Sequence, residues 1–169
     1  MQQAAKSTMV LAGLGLVLVA AAIWGWTAAT EPFPGRTELP ACVDRPIAQG
    51  EKVFADQVTV SVYNASDRNG LASRTMTLFT DAGFGEGDTG NAPRSADVKM
   101  ATIWTEDPGN PAVKLVQSRL GKKRTVIEER EGLGVGVTVL VGDGFKDLVK
   151  GRRAVKATED TEVCSPQVD

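Results

Sequence analysis

The 169-residue sequence contains no histidine, only two cysteines and no excess of positive charge. Histidine is the most common general base and a frequent metal ligand, so no Ser/His/Asp or Cys/His arrangement can be assembled. Lysine and arginine number 19 against 21 aspartates and glutamates, and this balance argues against a nucleic acid partner. The sequence therefore predicts a protein without catalytic residues, metal ligands or cofactor.

An uncharged, apolar run extends from residue 9 to residue 28. About 20 such residues are needed to cross the ~30 Å hydrocarbon core of a bilayer as a helix. Trp24 and Trp26 lie at its far end, and indole rings favour the membrane interface. We therefore predict a transmembrane helix over 9–28 in a single-pass membrane protein.

The orientation of this segment is predicted from the charge before it. Lys6 and the amino terminus place positive charge on the near side, so residues 1–8 are expected in the cytoplasm and the remaining chain outside it, on the periplasmic side. A cleaved signal peptide is the alternative, because residues 27–29 are small. The run is longer than the ~7 to 15 apolar residues of a signal peptide, which favours the retained anchor.

The remaining chain has room for one domain of ordinary size. Proline and glycine recur through residues 29–50, so this part is predicted to be an extracytoplasmic tether. The domain is predicted over 51–150, and residues 151–169 are expected to form a C-terminal tail.

Hydrophobic periodicity predicts an α+β domain. Valines alternate with other residues in the first and last strands, whereas the two helices carry apolar residues at three- and four-residue steps. Asn110 and Gly121 are the expected cap and stop of the second helix. The element order suggests a split-βαβ, ferredoxin-like sandwich with a mixed sheet of four strands and both helices on one face. The expected segments are strands 58–63, 98–104 and 135–141, helices 71–83 and 110–121, and weaker strands within 85–97 and 125–128.

A polar loop between the first strand and the first helix is a candidate ligand site. Its Asn64, Ser66, Asn69 and Gly70 lie where a helix N-terminus presents free N–H groups that can bind an anion such as a polyprenyl or teichoic-type phosphate. The alternative, which we favour, is that these residues only cap the helix.

Three charged or glycine-rich clusters are interpreted as ordinary surface. The glutamates within 128–131 are expected in a solvated turn, and the G-x-G-x-G run of 132–136 enters a strand instead of opening a nucleotide-binding helix. The basic clusters at 122–124 and 150–156 are interpreted as solvated surface, with binding of an anionic polymer as the alternative.

Several motifs resemble the LytR C-terminal domain family. The elements concerned are Asn-Ala-Ser at 64–66, Gly-Leu-Ala at 70–72, Gly-Phe at 83–84, the strand 101–104 and the closing strand and turn of 139–145. Members often accompany a LytR-CpsA-Psr catalytic domain, for which this chain is too short. The chain resembles the stand-alone, membrane-anchored type of mycobacteria and other actinobacteria, associated with cell-envelope integrity.

The resemblance implies a non-catalytic domain that supports envelope integrity by binding cell-wall glycopolymer, peptidoglycan or envelope-assembly proteins. In a sheet with both helices on one side, the other face is open, and Tyr63 or Trp104 are candidate contact residues there. An enzyme or a lipid carrier acting on a phosphorylated or glycosylated envelope precursor is the alternative. Converging ionisable side chains in a pocket would favour the enzyme, and an apolar tunnel the carrier.

Cys42 and Cys164 are predicted to form a disulfide. They are the only cysteines, and an even number in an extracytoplasmic segment favours pairing. This pairing requires their Cα atoms to lie within ~7 Å, with the two flanks side by side. Unpaired thiols, or a bridge to another chain, are the alternatives.

Overall fold

The computed structural model describes residues 13–22, 24–26 and 42–167. Residues 13–22 and 24–26 are helical, but none of the described helices is both long and apolar enough to span a bilayer. The rest of the predicted 9–28 segment, like the predicted cytoplasmic N-terminus, lies outside the described residues.

Residues 42–167 contain two helices of ten or more residues and nine strands. Two short 3-10 turns, Ala55–Gln57 and Lys122–Arg124, connect some of these elements. The strands are β1 Val43–Ile47, β2 Lys52–Phe54, β3 Thr59–Asn64, β4 Gly85–Asn91, β5 Ala101–Thr105, β6 Thr125–Glu129, β7 Val137–Val141, β8 Ala154–Lys156 and β9 Thr161–Ser165, and the helices are α1 Leu71–Asp81 and α2 Pro111–Leu120.

The central sheet has five strands in the order β4-β3-β7-β5-β6. β3 and β4 are parallel neighbours joined through α1, and β5 and β6 are parallel neighbours joined through α2. β7 lies between these two βαβ units, parallel to β3 and antiparallel to β5. All five β7 residues are buried, as expected for a strand in the centre of a sheet.

This order corrects the predicted ferredoxin-like arrangement. A split βαβ unit leaves room for another strand between its two strands, whereas both units here keep their strands adjacent. The glycine-rich stretch after α1 forms β4, a seven-residue edge strand that makes the sheet five-stranded. The mixed α+β class is confirmed.

The two faces of the sheet carry different cores. Alternate residues of β3, β5 and β7, including Val62, Ile103 and Val139, pack in one core with Phe79 of α1 and Leu115 of α2, so both helices cover the same face. The other face carries a smaller cluster centred on the buried residues Val98, Trp104 and Leu140.

The folded unit extends beyond the predicted 51–150 boundaries. β1 pairs antiparallel with β9, and β2 with β8, so parts of the predicted tether and tail form two-stranded ribbons. The β1–β9 ribbon pairs Val43 with Ser165, residues distant along the chain. Nothing local in either segment signals such a partner, because proline-containing β1 lacks a period-2 apolar pattern.

Candidate functional site

The predicted strand–helix loop satisfies its own polar groups. Asn64 Oδ1 accepts hydrogen bonds from the backbone N–H of Ser66 (3.0 Å) and from its Oγ (2.8 Å). Asn64 Nδ2 donates to the carbonyl oxygen of Arg68 (2.8 Å), and the Arg68 N–H donates to Ser66 Oγ (3.1 Å). The two side chains proposed for a ligand therefore hold the loop together.

Gly70, and not a polar side chain, is the N-cap of α1. Its φ is +72°, a left-handed conformation that glycine adopts without steric cost, and no side chain in the described part of the chain caps the first turn. Asn69 beside it is exposed. Arg68 ties the loop to the end of β7 by donating from Nη1 to the carbonyl oxygens of Asp143 (3.2 Å) and Phe145 (2.6 Å).

Tyr63 and Trp104 do lie on the face opposite the helices, in the smaller core. Trp104 is only 3% exposed, and the Arg130 guanidinium lies 4.2 Å from the ring centroid. Its indole therefore offers little surface to a partner. Tyr63 is half-buried.

The face predicted to be open is partly covered by the glycine-rich loop, residues Glu131–Gly136. Side chains of β3, β4 and β7 bind its backbone, which explains why this segment carries three glycines: a Cβ on Gly134 would come within 2.6 Å of an Asp88 carboxylate oxygen. The bonds run from Tyr63 OH to Leu133 O (2.9 Å), Ser61 Oγ to Val135 O (2.7 Å), Val135 N to Asp88 Oδ2 (3.2 Å) and Leu133 N to Thr138 Oγ1 (3.1 Å).

The site we consider most relevant is the acidic cleft, a cavity of about 410 Å³ beside the glycine-rich loop. It lies where the end of β5, the first turn of α2 and the β1–β9 ribbon meet. Among the described residues no lysine or arginine lines it, although the Arg130 guanidinium lies over the ring of Trp104, one of the lining residues. Its carboxylates, each on an exposed residue, are Asp44, Glu106, Glu131 and Glu162.

Two polar side chains at the cleft have different roles. Asn110 caps α2 as predicted, accepting from the Ala112 N–H (2.9 Å), and its Nδ2 donates to the Glu162 carbonyl (3.0 Å), which connects α2 to β9. Thr59 also lines the cleft and is fully buried, yet its hydroxyl has no hydrogen-bond partner among the described residues. An unsatisfied buried hydroxyl is uncommon in folded proteins.

Sequence reasoning did not find this cleft. The four carboxylates come from β1, the turn after β5, the glycine-rich loop and β9, so no spacing along the chain relates them. The described residues contain no group of three or more Asp, Glu, Cys or His side chains placed to hold a metal ion. An extended acidic lining of this kind suits a larger cationic or hydrogen-bonding group, such as an alkylammonium or guanidinium.

The predicted disulfide between Cys42 and Cys164 is confirmed. Their Cα atoms lie 5.4 Å apart, and the bridge joins residues separated by 122 positions. Cys164 lies in β9 and lines the acidic cleft, so the disulfide holds one wall of the cleft.

The fold and the site define a small α+β domain. One disulfide links its two flanking segments beside an acidic cleft. A family model described as LytR cell envelope-related transcriptional attenuator matches residues 57–145, just over half of the chain. The chain belongs to this family, the LytR C-terminal domain family.

A solved structure also resembles the chain: the soluble domain of a conserved hypothetical secreted protein from Mycobacterium marinum. It shares 20% sequence identity at a TM-score of 0.49, over 61% of this chain and 78% of that one. The comparison with curated proteins finds no match.

Proposed function

We propose that this chain is a non-catalytic cell-envelope protein whose folded domain lies outside the cytoplasm and binds cell-wall polymer or an envelope-assembly protein. Membership of a family related to the cell envelope supports this proposal. The Cys42–Cys164 disulfide supports the location, because such bonds persist outside the reducing cytoplasm.

The proposal includes a membrane anchor at residues 9–28, with the N-terminus cytoplasmic, as in the stand-alone envelope-integrity type. The uncharged sequence of this segment and Lys6 before it support the anchor and its orientation. A reporter enzyme fused after Asp169 tests it. Activity only outside the cytoplasm is expected, and activity inside would contradict the orientation.

The acidic cleft is the observation that carries the binding function. As far as the described residues go, the cavity of about 410 Å³ is lined by four carboxylate-bearing residues and by no lysine or arginine. This volume lies in the range of small-ligand sites, ~300 to 1,000 Å³. A protonated amine of a wall peptide, or a lysine or arginine of an assembly protein, would meet complementary charge there.

The exposure of these carboxylates favours recognition over catalysis. A carboxyl that acts as general acid is normally held in apolar, buried surroundings, whereas all four carboxylates belong to exposed residues. An exposed charge pair contributes only ~0.2 to 1 kcal/mol, so four together would supply roughly 1 to 4 kcal/mol. That amount suits a selective but moderate contact within a larger interface.

Substitution of cleft carboxylates tests this function. Full-length protein carrying Glu106→Gln and Glu131→Gln is compared with wild type in sedimentation with purified cell wall and in pull-down of envelope proteins. The matched control carries Glu86→Gln and Glu129→Gln, exposed glutamates outside the cleft lining. The cleft variant is expected to lose about tenfold in affinity in one of the two assays.

The two assays separate the polymer from the protein partner. Loss of sedimentation identifies a wall component as the ligand, and loss of capture identifies a protein. Equal binding of wild type, cleft variant and control in both assays would contradict recognition at the cleft.

A further inference from the structure

Two basic clusters that are separate in sequence meet at the C-terminal end of α2. The N–H of Val149 donates to the carbonyl oxygen of Arg119 (2.7 Å), and the N–H of Arg152 donates to Ser118 Oγ (3.0 Å). The segment 146–153 therefore lies directly against the last turn of α2 and the 3-10 turn after it.

Arg124 stabilises the contact between segment 146–153 and the end of α2, which we call the junction. Its Nη2 donates to the carbonyl oxygen of Leu120 (3.2 Å) and, across the junction, to that of Asp147 (3.4 Å). Gly121, with φ +91°, turns the chain where Val149 approaches. The junction holds two cationic segments side by side despite their mutual repulsion.

We call the combined cations the basic surface. Within residues 42–167 it collects eight of 17 lysines and arginines, while its two segments contain one of 18 aspartates and glutamates, Asp147. The rest of this range is therefore strongly acidic. The basic surface consists of Arg119, Lys122, Lys123, Arg124, Lys146, Lys150, Arg152 and Arg153.

None of these cations forms an ion pair within the described part of the chain, although Asp97 and Glu128 line the same cavity as Lys123 and Arg124. The single ion pair there joins Arg45 to Glu51. Arg119 Nε is buried and has no hydrogen-bond partner among the described residues. The C-terminal dipole of α2 supplies only about half an elementary charge, too little to balance a net charge of about seven.

We infer that the basic surface binds a phosphate-bearing anionic polymer. Arg152 and Arg153 are exposed arginines, and planar guanidinium groups bind phosphate in bidentate fashion. A surface that inserts into a membrane also carries exposed apolar side chains among its cations, and within 119–124 and 146–153 only Val149 is a large exposed hydrophobic residue. Polymer is therefore the better match.

This surface is independent of the acidic cleft. Residues 146–153 follow the part of the chain matched by the family, which ends at residue 145, so the surface is built in part from residues outside that match. The inference rests on the proposed extracytoplasmic location, where such polymers occur, but not on what the cleft binds.

Binding of long-chain inorganic polyphosphate to the full-length protein in a neutral detergent tests the inference. One variant carries Arg152→Gln and Arg153→Gln, another Lys122→Gln and Lys123→Gln. The matched control carries Arg74→Gln and Arg94→Gln, exposed arginines elsewhere. Each surface variant should bind about tenfold more weakly, and their combination weaker still, while the control binds as wild type does. Wild-type affinity should also fall steeply with salt.

Other outcomes would overturn the inference. Equal polyphosphate binding by all variants, or equal loss in the control, would mean that the surface is only solvated. Vesicles of phosphatidylglycerol and of phosphatidylcholine are measured in parallel; binding to phosphatidylglycerol with no binding of polyphosphate would make it a membrane contact instead. The surface variants keep Glu106 and Glu131, and polyphosphate is not a cell-wall preparation. A negative result with polyphosphate therefore says nothing about binding at the acidic cleft.

Discussion

Tyr63, the single tyrosine, shows how one side chain of β3 helps to hold the glycine-rich loop. Its hydroxyl donates to the Leu133 carbonyl (2.9 Å), and the Asp88 carboxylate lies on the same side of the loop, accepting from the Val135 N–H. Burial raises the pKa of Tyr63 above 10.0, and the negative charge of Asp88 raises it further. The protonated phenol is thus the form that the folded protein favours.

Alkaline titration of tyrosinate absorbance should therefore show Tyr63 ionising above pH 10.0. The stability that this residue contributes is fully present below the unfolded pKa of about 10 and is lost as the pH rises through the folded pKa. Asp88→Asn should lower the Tyr63 pKa part of the way, because burial, the larger cause, remains. Asp81→Asn on α1 is the control. An unchanged or higher pKa in Asp88→Asn would contradict this account.

The glycine-rich loop enters β7 at Gly136, a position where any other amino acid would be strained. Gly136 has φ +68°, and a Cβ there would collide with the backbone carbonyl of Thr59. The loop thus lies close against β3, where it also covers the sheet and borders the acidic cleft. Gly50 has a similar φ of +83°, but a Cβ there would meet no atom of the described residues within 4 Å.

Alanine substitutions at these two glycines distinguish the cost of a left-handed backbone conformation from the cost of a steric collision. Gly50→Ala should cost ~1 kcal/mol of unfolding free energy, from the left-handed conformation alone. Gly136→Ala should cost ~1 to 3 kcal/mol more, because backbone atoms of β3 must move. Denaturant unfolding of both variants measures the difference. Equal destabilisation would show that the loop shifts freely and does not depend on close contact with β3.

For the folded unit as a whole, the disulfide and the β1–β9 ribbon determine where the domain begins and ends. The ribbon pairs residues 43–47 with 161–165, and the bridge between Cys42 and Cys164 closes it. Val163 of β9 and Ile47 of β1 belong to the main core, so the ribbon is packed on the domain. The acidic cleft depends on this ribbon for part of its wall.

Removing the bridge should therefore weaken both stability and the cleft. The double variant Cys42→Ser, Cys164→Ser should lose up to ~4 to 5 kcal/mol of unfolding free energy by the chain-entropy model, with smaller measured values common. Reductant should lower the melting temperature of wild type toward that of the variant and leave the variant unchanged. Two alkylatable thiols in the exported, non-reduced protein would contradict the bridge.

Features determined by neighbouring residues could be predicted from the sequence. Alternating valines mark β3 and β7, and Asn110 and Gly121 bound α2 because caps act within one helical turn. The family could be identified from motifs within about 90 residues, and the disulfide was favoured because the sequence contains two cysteines in a segment predicted to lie outside the cytoplasm. The polar residues of the loop at Asn64 were expected to cap α1, but Gly70 is the N-cap, and the Asn64 and Ser66 side chains hydrogen-bond within the loop.

Strand order, the covered sheet face, the acidic cleft and the basic surface were decided only by the tertiary structure. Each depends on contacts between residues far apart in the chain: β7 inserts between two βαβ units, and residues 146–153 return to the end of α2. A local pattern specifies how a segment folds and which side it buries. Which distant segment meets it depends on the packing of the whole domain, so the charges that converge at the two sites carry no common signal in the sequence.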